Sequence, residues 1–233
     1  MRPILAVLFP PRQTRTRRTN FHRFGLHFAF ALSAALLFAA AAAHAQFGSE
    51  PTTQVHDPSA LKPPPGARVA IVEFADMECP DCARANPVLV EAADKYHIPL
   101  VRHDFPLPFH RWSVQAAVNA RFFDTRSEKL GNEYRDYIFA NQVSIETPDQ
   151  LRQFTEKFAA SHGVALPFAI DPMGKLSQEV KADFALGQRI GIEHTPTIWV
   201  VTNGSHAAPF VEVVDRSKLY QIIDQAIAET RGH

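Results

Sequence analysis

The sequence predicts an α/β fold with the element order βαβ, a block of helices, and then ββα. Three observations support this prediction: an early segment rich in β-branched residues, a long central region with helical periodicity, and two short apolar runs near the end. The chain has 233 residues, of which 46% are hydrophobic. That is enough for one full-sized domain and hardly enough for two, so we expect a single core.

Residues 1–45 are predicted to be a signal peptide. They contain six arginines and no acidic residue, then an apolar run over residues 24–43, and then "AHA" at 43–45, the small-x-small pattern that signal peptidase prefers. Cleavage is predicted before Gln46. The alternative is that residues 24–43 stay in place as a membrane anchor, which a run of about 20 residues permits. In either case we expect a periplasmic or otherwise extracytoplasmic protein, in which disulfides can form.

The rest of the chain is acidic. Residues 46–233 contain 18 basic and 24 acidic side chains, which gives a formal charge of −6, and they contain no basic cluster. We therefore expect no nucleic acid partner.

The segment 46–66 is predicted to be a proline-rich linker, and the folded domain is predicted to begin near Ala67 and to span 67–233. The linker is too short and too rich in proline to form a dimerisation domain. A monomer is therefore favoured.

The first half of the domain is predicted to be strand, helix, strand. The first strand covers 68–74, and its alternation places Glu73 on the same face as Val69 and Ile71. A helix follows, with a predicted kink at Pro87, and the second strand covers 98–107. Strand, helix, strand is the unit in which two strands pair in parallel.

A block of helices is predicted between the second and third core strands, at about 110–190. Its apolar stripes could line a groove, but core packing is favoured. Strands are then predicted at 197–201 and 210–215, with Asn203-Gly204 in the turn between them. Ser217 is predicted to cap a final amphipathic helix.

Cys79 and Cys82 are the two cysteines of the chain, and they form a C-x-x-C. Such a pair can be half of a zinc site, a structural disulfide or a redox centre. A closed zinc site needs four ligands, and His97, His103 and His110 are spread over a helix end, a strand and a loop. A structural disulfide closing so small a loop would stabilise little. We therefore expect no metal, and no cofactor other than the redox-active Cys79–Cys82 disulfide.

The surroundings of the pair favour redox chemistry. If the helix begins at Cys79, unsatisfied backbone N–H groups stabilise its thiolate and lower its pKa. Cys82 then lies one turn further on, shielded, and Pro80 suits the first helical turn. If both faces of the first strand are covered, Glu73 is buried near the cysteines. Its pKa is then raised, and it can exchange a proton with Cys82.

Four motifs stand together in this chain: "VEF" with Glu73 six residues before Cys79, "CPDC", "HDFPL", and "HTPTIWV" from His194. With them, the chain from Arg68 onward resembles the exported oxidoreductases of the DsbA type. The resemblance implies a thioredoxin fold with an inserted helical block, and a protein thiol:disulfide oxidoreductase. It also implies a cis Pro196 against the disulfide, with Thr195, Pro196, Pro80 and Asp81 contacting substrate.

The partners implied by the resemblance are exported proteins that contain cysteine, and a membrane redox partner that reoxidises or reduces the pair. One residue departs from the pattern, because strongly oxidising members have histidine where this chain has Asp81. Asp76 and Glu78 lie close by in the sequence. Negative charge disfavours the Cys79 thiolate, which predicts a reduction potential below that of the strongest oxidases.

The direction of electron flow is left open by the sequence. The alternative function is a non-catalytic binding or chaperone-like module on the same fold, with a permanently oxidised disulfide. A glutathione-dependent transferase is disfavoured, because such an enzyme does not need both cysteines.

Overall fold

The computed structural model describes residues 52–204 and 209–230. The predicted signal peptide lies outside the described residues, as does the tip of the last hairpin at 205–208. Within the described ranges, none of the helices combines the length and the apolar character needed to cross a membrane.

The described elements follow the predicted order, and the helical block lies between the second and third strands. In chain order they are β1 (Val69–Ala75), α1 (Pro80–Tyr96), β2 (Leu100–Asp104), α2 (Ser113–Asp124), α3 (Glu128–Asn141), α4 (Pro148–Ser161), α5 (Lys175–Ile190), β3 (Thr197–Thr202), β4 (Phe210–Glu212) and α6 (Leu219–Thr230). Short 3-10 turns occupy Pro58–Ala60, Gln142–Ser144 and Arg216–Lys218.

The four strands form one sheet in the order β2-β1-β3-β4. β1 pairs with β2 in parallel and with β3 antiparallel, and β4 pairs antiparallel with β3. β1 is therefore central, as its apolar composition predicts. Its register places Glu73 between Arg102 of β2 and Ile198 of β3.

Both faces of β1 are covered. Val69 and Ile71 pack with apolar residues of α1 and α6, whereas Val72 and Phe74 pack on the opposite face with residues from β3 and the end of α5. The predicted alternation of β1 is confirmed. Glu73 shares the first of these faces by that alternation.

The helical block has its own apolar core, and the predicted core role of its stripes is confirmed. Leu151, Phe158 and Val180 are buried in this core, and Cys79 and Cys82 belong to the same cluster. Buried ion pairs join the block to β2, including one in which Arg121 Nε donates to Asp104 at 2.7 Å. The two cysteines therefore pack into the core of the inserted block.

The glycine at 187 allows α5 to approach the sheet closely. A Cβ added to Gly187 would lie 2.6 Å from the ring of Phe105, just beyond β2. A larger residue at this position would therefore separate the block from the sheet.

The described part of the predicted linker packs on the domain. Leu61 is 2% exposed, the backbone N–H of His56 donates to the Ile190 carbonyl at 2.8 Å, and the Thr53 backbone and hydroxyl both donate to Glu212 at 2.9 Å. We call residues 52–66 the N-terminal arm. Folded structure thus begins before Ala67, because the few apolar side chains of the arm complete one face of the sheet.

Two predicted features of the final ββα unit are corrected. β4 ends at Glu212, earlier than the predicted 215. Ser217 does not cap the last helix, because its backbone N–H and its hydroxyl both donate to the Asp215 carboxylate, at 3.0 and 2.7 Å. Asp215 thus caps a 3-10 turn, and α6 begins only at Leu219.

Candidate active site

The two cysteines lie at the start of α1, immediately after the central strand. Cys79 is the N-cap residue, and Pro80 takes the first helical position, where its missing N–H costs no hydrogen bond. Cys79 is 8% exposed and Cys82 is fully buried, and both are free thiols. Cys79 is therefore the more exposed of the two residues, although both are buried.

The environments of the two sulfurs separate their pKa values. A hydrogen bond from the Cys82 thiol, helped by the backbone N–H groups of Cys82 and Asp81, lowers the pKa of Cys79 to about 5, although burial opposes this. Burial raises the pKa of Cys82 well above its ordinary value. At neutral pH Cys79 is therefore a thiolate and Cys82 a thiol.

The segment before β3 lies directly against Cys79. The Thr195–Pro196 peptide bond is cis, as the resemblance implies, and the Cys79 sulfur lies 3.3 Å from the Thr195 carbonyl oxygen, which accepts a hydrogen bond from the sulfur when it is protonated. Both residues are buried. The Thr197 hydroxyl donates to the His194 carbonyl at 2.7 Å and closes the turn that leads into the strand. The fold thus brings together two motifs that are 116 residues apart.

Glu73 is fully buried, as expected if both faces of β1 are covered. Neither of its carboxylate oxygens accepts a hydrogen bond from the residues that the structure describes. The nearest cation is Arg102, whose Nε is 3.8 Å away and whose Nη2 donates to both Asp136 and Asn86. Burial raises the pKa of Glu73 to about 7, although Arg102 opposes the shift. Glu73 can therefore hold or release a proton near neutral pH.

Asp81 lies in the first turn of α1, between the cysteines, and is paired with arginines. Arg216, from the 3-10 turn before α6, donates two parallel hydrogen bonds to its carboxylate, at 2.8 and 3.0 Å. Arg84 adds a third bond at 3.1 Å. The hydrogen bond from Arg216 is the main cause of the lowered pKa of Asp81. The side chain is 40% exposed, so it remains at the surface of the site.

The other two acids near the cysteines also have partners. The Asp76 carboxylate accepts from the backbone N–H groups of Glu78 and Leu107, and lies 2.7 Å from a ring nitrogen of His110. The Glu78 carboxylate accepts the N–H groups of Trp112 and Ser113 at the start of α2, at 2.6 and 3.0 Å. A helix N-terminus stabilises such a carboxylate.

The expectation that these acids place uncompensated negative charge near Cys79 is thus wrong, because each of them is hydrogen-bonded to cationic or N–H groups. The physical reason for expecting a weaker oxidant no longer holds. The reduction potential itself stays a prediction.

Three residues of this region were missed by the sequence analysis: Arg216, Gln142 and Arg102. Gln142, in the turn after α3, donates to the carbonyls of Met77 and Cys79 at 2.8 and 3.0 Å. Arg102 could have been found from the pairing of two adjacent parallel strands, which sets it opposite Glu73. Arg216 and Gln142 show no such local signal, since they reach the site only through the tertiary fold.

A groove of about 540 Å³ opens beside the first turn of α1. Pro80 lies on one side of it, and Trp112, Phe139 and Val143 of the helical block contribute to its walls. Val143 is 93% exposed. A larger groove of about 1090 Å³ lies at the edge of β2. None of the predicted site residues lines it, although Arg102, the neighbour of Glu73, does. Of the predicted site residues, Pro80 lines the smaller groove, next to Cys79 in the chain.

Several solved structures have a similar fold and align with most of this chain. α-DsbA2 of Wolbachia pipientis, a thiol-disulfide exchange protein, has a TM-score of 0.56 at 16% identity over 70% of this chain and 84% of its own. A periplasmic thioredoxin-like protein of Salmonella enterica serovar Typhimurium has a TM-score of 0.55 at 19% identity, over 71% and 88%. DsbA2 of Pseudomonas aeruginosa has a TM-score of 0.51 at 22% identity, over 76% and 96%.

No curated protein matches the chain. A family model described as thioredoxin matches residues 64–216, which include β1, the cysteine pair, the helical block and the cis-proline segment. The chain therefore belongs to the thioredoxin family, with a thioredoxin fold of the DsbA type.

Proposed function

We propose that this protein is an exported thiol:disulfide oxidoreductase that exchanges disulfides with protein substrates through Cys79 and Cys82. The observation that carries the proposal is the asymmetry of the two sulfurs. Cys79 is the more exposed of the two, at 8%, with a pKa lowered to about 5, whereas Cys82 is fully buried, with a raised pKa. A thiolate is the nucleophile and the better leaving group in disulfide exchange, so the two positions suit different roles.

In the oxidising direction, a substrate thiolate attacks Cys79 of the disulfide. The substrate–Cys79 bond forms as the Cys79–Cys82 bond breaks, and Cys82 leaves as a thiolate that takes up a proton. A second substrate thiolate then attacks the substrate sulfur of the mixed disulfide, and Cys79 leaves as a thiolate. The substrate loses two electrons in forming its disulfide, and the protein gains them as a dithiol. The reducing direction is the reverse, in which Cys79 attacks and Cys82 resolves the mixed disulfide.

Glu73 supplies or accepts the proton of Cys82 in this proposal. A leaving Cys82 thiolate is disfavoured by its burial, and a nearby acid with a pKa of about 7 is protonated often enough to neutralise it. In the reverse direction the Glu73 carboxylate removes the proton from Cys82 as that thiol attacks.

Substrate binding is proposed at the segment containing Thr195 and cis-Pro196. This segment lies against Cys79, and an extended substrate chain can pair there with backbone groups next to the reactive sulfur. Pro80 and Asp81, which follow Cys79 in the first turn of α1, are proposed to contact the substrate as well. The groove beside Pro80 offers apolar walls for a neighbouring substrate side chain.

The proposed substrates are exported proteins that contain cysteine, and the proposed second partner is a membrane protein that reoxidises or reduces the pair. The similarity to a thiol-disulfide exchange protein and to a periplasmic thioredoxin-like protein supports this proposal. Export through residues 1–45 and a monomeric state are parts of the same proposal.

Insulin reduction and the oxidation of a reduced two-cysteine peptide test the activity in both directions. We expect the protein to accelerate at least one of these two reactions. Cys79→Ser is expected to abolish this activity, and Cys82→Ser is expected to accumulate mixed disulfides with the substrate. A parent protein that is inactive in both assays would overturn the proposal in favour of a non-catalytic binding module. Thiol trapping of Cys79 and Cys82 in cells then gives the direction, because an oxidase is held mostly oxidised and a reductase or isomerase mostly reduced.

A further inference from the structure

The acid between the two cysteines is held by a residue from the opposite end of the chain. Arg216 donates from both terminal nitrogens to the two carboxylate oxygens of Asp81. Such a bidentate pair fixes geometry as well as charge. Arg216 is 33% exposed, less than Asp81 at 40% and much less than Arg84 at 67%. It is therefore the better shielded of the two arginines that reach Asp81.

We propose that Arg216 is a positioning residue that cancels the charge of Asp81 beside Cys79 and so sets the oxidising strength of the disulfide. The inference rests on the proposed function, because oxidising strength matters only if the pair exchanges disulfides. It extends that function by assigning control of the equilibrium to a residue 135 positions away from the C-x-x-C.

The other acids near the cysteines already have partners, so Asp81 is the acid whose charge Arg216 compensates. The carboxylates of Asp76 and Glu78 are occupied by His110 and by backbone N–H groups, and the fully buried Glu73 has the Nε of Arg102 at 3.8 Å. Asp81 is left as the half-exposed acid of the first helical turn. Arg216 also lies close enough to both sulfurs for their negative charge to favour its own charged form.

The sign of the effect follows from the exchange with glutathione. Reduced protein, with a Cys79 thiolate and a Cys82 thiol, reacts with glutathione disulfide and one proton to give the protein disulfide and two molecules of glutathione. Two electrons pass from the protein to glutathione. Whatever destabilises the Cys79 thiolate favours the protein disulfide, and a more stable disulfide makes a weaker oxidant. Loss of the positive charge of Arg216 should therefore weaken the protein as an oxidant.

The variants Arg216→Gln, Asp81→Asn and their combination test the proposal. Partly exposed charge pairs are worth little, so Arg216→Gln is expected to shift the glutathione equilibrium roughly two- to fivefold toward the protein disulfide. The pKa of Cys79, followed by the ultraviolet absorbance of the thiolate, should rise in parallel. Asp81→Asn should shift both quantities the opposite way, and the double variant should return close to the parent values.

Two further variants separate charge from fold. Arg216→Lys keeps the charge without the parallel hydrogen bonds and should stay closer to the parent than Arg216→Gln does. Arg152→Gln removes an exposed, ion-paired arginine from α4 and should leave the pKa of Cys79 unchanged.

An unchanged Cys79 pKa in Arg216→Gln, or a double variant that behaves like Arg216→Gln alone, would overturn the proposal. If Arg216→Gln does not fold, an Asp81→Asn variant in which the pKa of Cys79 is not lowered would overturn the proposal equally. The thiolate titration requires no turnover. A protein that exchanges no disulfides would thus refute the proposed function, while the titration would still decide the role of Arg216.

Discussion

The buried carboxylate of Glu73 makes the free energy of unfolding depend on pH, and the substitution of this one residue tests the dependence. In the folded protein its pKa is raised from an ordinary value of 4.5 to about 7 by burial. The folded state therefore holds this proton more tightly than the unfolded chain, and stability is lost as the pH rises from about 4.5 through about 7. At about 1.4 kcal/mol for each pKa unit, the loss amounts to roughly 3 kcal/mol.

Glu73→Gln removes this ionisation with little change of shape. We expect the variant to gain about 3 kcal/mol relative to the parent when the pH is raised from 4 to 8. Any constant cost of burying the amide cancels between the two pH values. Urea unfolding of the reduced proteins measures the difference, and the fluorescence of the buried Trp112 and Trp199 reports the transition.

The matched control is Glu91→Gln, which removes a carboxylate from the exposed face of α1. If the difference between Glu73→Gln and the parent is the same at pH 4 and pH 8, Glu73 does not titrate near neutrality. The assignment of Glu73 as the proton exchanger of Cys82 would then lose its basis.

Replacing Cys82 by alanine is expected to raise the pKa of Cys79, because the hydrogen bond from Cys82 is the main cause of its lowering; a thiolate titration with an unmoved midpoint would contradict this. Gly187→Ala is expected to destabilise the protein by about 1–3 kcal/mol in urea unfolding, because its Cβ would lie 2.6 Å from the Phe105 ring, and an equally stable variant would show that the contact relaxes freely. Glu212→Ala removes the acceptors that hold the N-terminal arm and is expected to cost about 1–2 kcal/mol. Limited proteolysis should then cut the arm sooner than in the parent, and an unchanged cleavage rate would count against its docking.

The parts of the site that the sequence predicts are those with a local physical signal. The alternation along β1 predicts the burial of Glu73, since side chains of a central strand face covered layers on both sides. The position of Cys79 directly after that strand, followed by Pro80, predicts the N-cap. The four motifs together predict the fold, and the family match and similar structures confirm it.

The parts that the sequence does not predict depend on side chains that meet only in three dimensions. Arg216 lies in a short polar segment before α6 that resembles any solvated turn, and nothing in that segment indicates a partner in α1. Ser217 does not cap the last helix, because the Asp215 carboxylate two residues before it accepts both of its donors and forms a 3-10 turn there. The docking of the N-terminal arm was missed because Leu61 is an isolated apolar residue among prolines, with no periodicity to mark its burial.

The cysteine pair belongs to two modules of the fold at once. Cys79 faces the segment that precedes β3, which is part of the common sheet, whereas both sulfurs are packed within the core of the inserted helices. Substitutions in the insertion can therefore alter the packing and polarity around the sulfurs while the sheet and its cis-proline segment stay as they are. Trp112 and Ile138 share this core with both cysteines, so their substitution is expected to change the reactivity proposed for Cys79 without replacing a residue of the sheet or of the cis-proline segment.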